Sequence, residues 1–207
     1  RKLCIWERGL QSGYRQPPMR VKICGIRELG DAYAAIDAGV DALGFVFYQK
    51  SPRYITPESA KALLQKLPPF VERVGLFVNE TAETVDEISE FCKISAAQIH
   101  FEPPTSFFEN LKTRHIKVVR AAAQEDVSKF ANEYRFVDSY VEGYGGEGKR
   151  LNTEWFEGAD TSKIILAGGL TCENLSLIEG MGFYGVDVSS GVESSRGVKD
   201  PKKIKAF

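Results

Sequence analysis

The chain has 207 residues, with 27 lysines and arginines against 28 aspartates and glutamates, and 43% of it is hydrophobic. This is the length of a single domain and the composition of a globular chain rather than a disordered one. A net charge of −1 gives no electrostatic reason to expect nucleic acid or an anionic membrane as a partner, and no apolar run approaches the ~20 residues of a membrane span.

The N-terminal stretch, residues 1–18, ends in Gln16-Pro17-Pro18 and has no periodicity. It reads as an extension or leader before a domain covering residues 19–207. Its apolar run, Leu3 to Trp6, is too short for a signal-peptide core. Cys4, Cys24, Cys92 and Cys172 show no paired spacing. They read as free thiols in a reducing, cytoplasmic compartment, not as a disulfide framework or zinc site.

From there the chain alternates. Short β-branched runs at 21–24, 42–47, 73–78, 97–100, 116–121, 136–138, 164–167 and 185–188 lack strict polar alternation, as strands buried on both faces do. Helical stretches are expected at 31–38, 57–66, 81–92, 105–113, 125–134, 172–179 and 201–207. The second opens with Thr56 as cap, Pro57 at the first helical position and Glu58 in the first turn. The third puts Val85, Ile88 and Phe91 on one stripe. Eight strand units in a row predict a single-domain α/β fold, the (β/α)8 TIM barrel. An open doubly wound sheet is the rival, but the first strand leads into Gly25-Ile26-Arg27 rather than a dinucleotide-binding glycine motif.

In a barrel, chemistry sits at the C-terminal strand ends. Cys24 ends strand one beside Gly25; it is either a packed small hydrophobe or a thiol able to take a proton. Arg53, after Pro52, belongs either to a solvated basic loop or to a planar fork for a carboxylate. Strand four ends in Gln98-Ile99-His100, and two histidines in the chain are too few for a histidine-rich metal site. Asp138 follows Phe136 and Val137; it caps the next loop or acts as an acid with a raised pKa. The loop behind it, residues 142–149, holds four glycines and has the composition of a lid or of an irregular connection. Gly168-Gly169 after strand seven and Ser189-Ser190-Gly191 after strand eight form a paired phosphate cradle.

Val21-Lys22-Ile23-Cys24-Gly25-Ile26, Ser51-Pro52-Arg53-Tyr54, Gln98-Ile99-His100, Tyr144-Gly145-Gly146-Glu147-Gly148-Lys149, Ala167-Gly168-Gly169-Leu170 and Asp187-Val188-Ser189-Ser190-Gly191-Val192-Glu193, in this order, resemble the phosphoribosylanthranilate isomerase family. The resemblance implies an Amadori rearrangement in tryptophan synthesis, with Cys24 as base and Asp138 as acid. It implies Arg53 on the anthranilate carboxylate and Gly168, Gly169, Ser189, Ser190 and Gly191 on the phosphate. Gln98 and His100 join the substrate contacts. A phosphosugar ligand, no metal or organic cofactor, and a monomer rather than a dimer are expected with it. Phe101, where the family often has glycine, and the stretch 150–154 depart from its pattern. The rivals are a related aminoimidazole ribotide isomerase of histidine synthesis, a metal-dependent sugar-phosphate epimerase, and a non-catalytic phosphate-ligand binder.

Overall fold

The computed structural model describes residues 19–139 and 152–207. The expected leader, 1–18, and the glycine-rich loop, 142–149, lie outside the described residues. Eight parallel strands close into a barrel in the order β1 to β8: Arg20–Cys24, Ala42–Val46, Glu72–Phe77, Ala96–Ile99, His115–Ala121, Arg135–Ser139, Ile164–Ala167 and Gly185–Val188. The seam joins β8 to β1, with Lys22 opposite Asp187 and Ile23 opposite Val188. The (β/α)8 expectation therefore holds over an open sheet.

Why the strands read as apolar on both faces is visible in their register. Ile23, Phe45, Phe77, Ile99, Val119, Val137, Leu166 and Val186 belong to the layer of apolar contacts shared with the helices. The alternate residues Val46, Val74, Ala96, Val118, Phe136 and Ala167 are also buried, but outside that layer. Successive side chains point to opposite faces, so this second set fills the barrel. Toward the C-terminal strand ends the same inward phase becomes polar: Lys22 and Cys24 on β1, Gln98 on β4, Arg120 and Asp138 paired across β5 and β6, and Asp187 on β8.

The early helices obey their sequence signals. Between β1 and β5 lie α1 (Leu29–Ala38), α2 (Pro57–Leu64), α3 (Ala82–Cys92) and α4 (Thr105–Asn110). Thr56 caps α2 through the Ser59 N–H at 3.2 Å, and Thr81 caps α3 through the Thr84 N–H at 3.1 Å. The buried face of α3 is rotated from expectation: Ala82, Val85, Ser89 and Cys92 point inward, whereas Phe91 is 41% exposed, with the Lys61 ammonium over its ring.

The expected helices at 125–134 and 172–179 do not form. Short 3-10 turns stand there, at Gln124–Ser128 and Leu175–Ile178, with another at Thr153–Phe156. Local side-chain bonds compete with the helix. The Asp126 carboxylate accepts from the N–H groups of Ala122 and Ala123. Asn174 accepts from the Thr171 N–H and donates to the Gly169 carbonyl. Beyond β8, a hairpin of β9 (Glu193–Ser195) and β10 (Val198–Lys199) leads to α5 (Pro201–Ala206). Asp200 caps α5, and Pro201 stands at its first turn. Among the described residues no helix is long and apolar enough to cross a membrane.

Candidate active site

The thiol comes first, because β1 ends on it. Cys24 is 4% exposed and Gly44 of β2 leaves room for it: a Cβ there would lie 2.8 Å from Cys24 Sγ and 3.0 Å from Lys22 Cε. Two residues earlier on the same face, Lys22 donates to Asp187 at 2.8 Å, both side chains being buried. Burial pushes the Cys24 thiol up from its ordinary value, while the Lys22 charge pulls the other way. Asp187 counteracts burial at Lys22 and keeps that ammonium protonated.

Asp138 is the second titratable side chain at the strand ends. Burial, reinforced by the Asp187 charge, raises its pKa from 3.8 to about 7. Its carboxylate lies against the loop after β7, where a Cβ at Gly168 would meet Asp138 Oδ1 at 2.6 Å and Ser139 Oγ at 2.7 Å. Gly168 also has φ +91°, which L side chains rarely adopt. His100 Nε2 stands 3.9 Å from Asp138 Oδ2. Burial, with the Arg120 and Lys22 charges, lowers the His100 pKa to about 3. His100 is therefore neutral at working pH, and its contact with Asp138 is no salt bridge.

Gln98 Oε1 and His100 Nδ1 are buried without a hydrogen-bond partner. Such atoms are costly to leave unmade, so the mouth of β4 offers two polar positions to an incoming molecule. The loops after β7 and β8 meet at Gly191, where a Cβ would collide with the Leu170 carbonyl. Ser189 Oγ donates to the Cys24 carbonyl at 3.1 Å, which ties the end of β8 to the end of β1. Gly168, Gly169, Ser189, Ser190 and Gly191 thus stand as two touching loops at one rim of the barrel.

Arg53 does not belong to a solvated basic loop, and one edge of its fork is already engaged within the protein. It is 6% exposed, and its Nε and Nη2 donate to the two carboxylate oxygens of Glu193 at 2.7 and 2.8 Å. Its stem packs against the Gly25 turn, where a Cβ would lie 2.7 Å from Arg53 Cδ. Sequence reasoning assigned no role to Lys22, Asp187, Glu193 or Lys199. The signal was present for the first two: a charge inside an otherwise apolar, doubly buried strand must find a partner.

The profile described as N-(5'-phosphoribosyl)anthranilate (PRA) isomerase matches residues 21–207. The chain belongs to this family. A relative from Nitratiruptor sp. named N-(5'-phosphoribosyl)anthranilate isomerase is 59% identical over 91% of this chain and 96% of its own. One from Sulfurovum sp. with the same name is 58% identical with the same coverage. Among solved structures, phosphoribosyl anthranilate isomerase from Thermus thermophilus superposes with a TM-score of 0.82 at 36% identity, over 91% of this chain and 96% of that one. A phosphoribosyl anthranilate isomerase in complex with reduced 1-(o-carboxyphenylamino)-1-deoxyribulose 5-phosphate aligns with a TM-score of 0.77 at 37% identity and the same coverage. The family's phosphosugar chemistry thus meets a rim that carries a thiol, a raised carboxyl and paired glycine loops.

Proposed function

We propose that this member of the isomerase family catalyses the Amadori rearrangement of N-(5'-phosphoribosyl)anthranilate to the 1-(2-carboxyphenylamino)-1-deoxyribulose 5-phosphate of tryptophan biosynthesis. It acts as an aldose–ketose isomerase through general acid and base, in the cytoplasm, with residues 19–207 as the catalytic unit. The observation that carries this reading is a carboxyl with its pKa raised to about 7, set against a glycine loop in a barrel whose first strand ends in a buried thiol.

Asp138 gives its proton to the furanose ring oxygen. The anthranilate nitrogen lone pair then expels that oxygen from C1', and a Schiff base forms. Cys24 takes the C2' proton, the electron pair moves toward the iminium nitrogen, and an enolamine results. The enolamine gains a proton at C1' and loses the one on its C2' hydroxyl, which gives the keto product, and the proton taken by Cys24 replaces the one Asp138 gave up, so no atom is gained or lost. The phosphate lies on the glycines and serines after β7 and β8. The carboxylate is held by the Nη1 side of Arg53, because its other edge is bound to Glu193. Gln98 and His100 offer their unpartnered atoms to the sugar.

Only Cys24 must start in its less common state. Burial favours the Cys24 thiol over the thiolate, and Asp138 is half ionised near neutrality. The reactive pair, carboxylic acid with thiolate, is thus a minor proton distribution of the two groups. The direct test is turnover of N-(5'-phosphoribosyl)anthranilate by the purified chain, with the aminoimidazole ribotide substrate of the rival reading assayed beside it. Turnover of neither would leave a binder. Oligomeric state is tested separately by sedimentation: a monomer is our reading, and a structure of monomers made from the dimeric enzyme of Thermotoga maritima is among those the chain resembles.

A further inference from the structure

Glu193 is 6% exposed and takes no part in the proton transfers. Its two carboxylate oxygens are nonetheless filled by four donors: Arg53 Nε at 2.7 Å, Arg53 Nη2 at 2.8 Å, Lys199 Nζ at 2.9 Å and the Gly197 N–H at 3.1 Å. A carboxylate so occupied has no oxygen to spare for a ligand. Its charge is spent inside the protein, on two cations that serve different ends of the rim. Arg53 faces the carboxylate end. Lys199 donates to the Ser189 carbonyl at 3.0 Å and reaches Ser189 Oγ at 3.4 Å, at the phosphate end.

The backbone enforces this junction. Glu193 opens β9 and stands opposite Lys199 of β10 in the hairpin register. At the hairpin turn, a Cβ at Gly197 would lie 2.6 Å from the Pro52 carbonyl, one residue before Arg53. The Arg27 guanidinium also donates to the Gly197 carbonyl at 2.8 Å, and Lys203 donates to the Glu193 carbonyl at 2.7 Å. The loop after β2 and the loop after β8 are therefore clamped by one hairpin.

We propose that Glu193 is a positioning residue that joins Arg53 and the Ser189 loop into one rigid unit and so fixes the span between the substrate's carboxylate and its phosphate. This rests on the site reading above. Arg53 and Lys199 against Glu193 leave one net positive charge in the cluster, which suits a rim that receives an anion at both ends. Without Glu193 the two buried cations would lose the carboxylate they share and would repel each other, so both ends would shift together.

The experiment uses the full chain and two probes, anthranilate and inorganic phosphate, each as a competitive inhibitor of turnover. Arg53→Ala should weaken anthranilate at least tenfold and leave phosphate unchanged; Lys199→Met should do the reverse. Glu193→Gln, which keeps shape and removes charge, should weaken both at least tenfold. A folded Glu193→Gln variant that weakens one probe or neither overturns the proposal. If Arg53→Ala does not weaken anthranilate, the carboxylate assignment fails first, and the junction joins nothing. Should Glu193→Gln fail to fold, the Arg53→Ala/Lys199→Met cycle reads the same coupling with Glu193 in place. Affinity for the reduced product analogue should then fall by less than the product of the two single losses, because a span once broken cannot be broken again. Multiplicative losses would show two independent ends and overturn the proposal.

Discussion

The two halves of the barrel are built differently. After β1 to β4 come α-helices of 10, 8, 11 and 6 residues. After β5 to β7 the described residues form 3-10 turns of 5, 4 and 4 residues. The strand ladder does not register the difference: β5 pairs with β6 over Lys117 to Ala121 as fully as β2 pairs with β3. Strand pairing and burial of both strand faces therefore close the barrel, and the outer layer need only cover it. In the thin half each turn contributes one buried apolar side chain, Val127, Phe156 or Ile178. The proposed chemistry is divided along the same line. Cys24 and Arg53 belong to the helical half; Asp138 and the glycine and serine loops belong to the other.

The sharpest way to test that division is to remove one proton carrier from each half. Cys24→Ala and Asp138→Asn should each lower kcat by ~10²–10⁴, while affinity for the reduced product analogue stays near that of the parent. A variant with parental single-turnover rates would take its half of the barrel out of the chemistry.

The pH profile sharpens the same contrast. In the parent, kcat/KM should rise through pH about 7 as Asp138 titrates, because the reactive form has one proton fewer than the fully protonated pair. It should fall again only as the Cys24 thiol, raised by burial, ionises. In Asp138→Asn the limb near 7 should vanish, and the residual rate should climb until the thiol ionises. A limb near 7 that survives in Asp138→Asn belongs to another group.

Stability should move in the opposite sense to activity. The folded pKa of Asp138 lies above its unfolded value, so ionised Asp138 opposes folding. What its neutral form contributes is present below pH about 4 and is lost as pH rises through about 7. Asp138→Asn should therefore melt above the parent at pH 8, and the gap should narrow at pH 5 and close only below pH about 4, as measured by thermal denaturation. The smallest effect is local to the helical half. Thr81→Ala removes the α3 cap and should cost ~1 kcal/mol in urea unfolding with turnover intact.

How far each half was legible follows from its physics. The strands were readable throughout, because two buried faces demand continuous β-branched runs such as Val118-Val119 and Ile164-Ile165. The early helices announced themselves through Thr56-Pro57 and Thr81. The later ones misled, because Asp126 and Asn174 look like solvent-facing helix residues until their side chains are seen bonded to nearby backbone. At the site, strand-end position marks Cys24 and Asp138 as candidates, and only the family resemblance gives them the roles of base and acid. Glu193 could not be read in this way, because its partner Arg53 lies 140 positions away and no local pattern encodes that pairing.

The seam between β1 and β8 has a consequence for how the protein comes into being. Lys22 meets Asp187 only across 165 positions of sequence, and Ser189 bonds to the Cys24 carbonyl over the same distance. On a growing chain, the thiol's surroundings stay unfinished until the last strand has left the ribosome and docked. Catalysis is then a late event in biogenesis, and the onset of turnover reports the closing of the ring. A chain cut between β4 and β5 would regain its chemistry only on reassembly of the two pieces, which makes this barrel a natural sensor for whether two fragments have met.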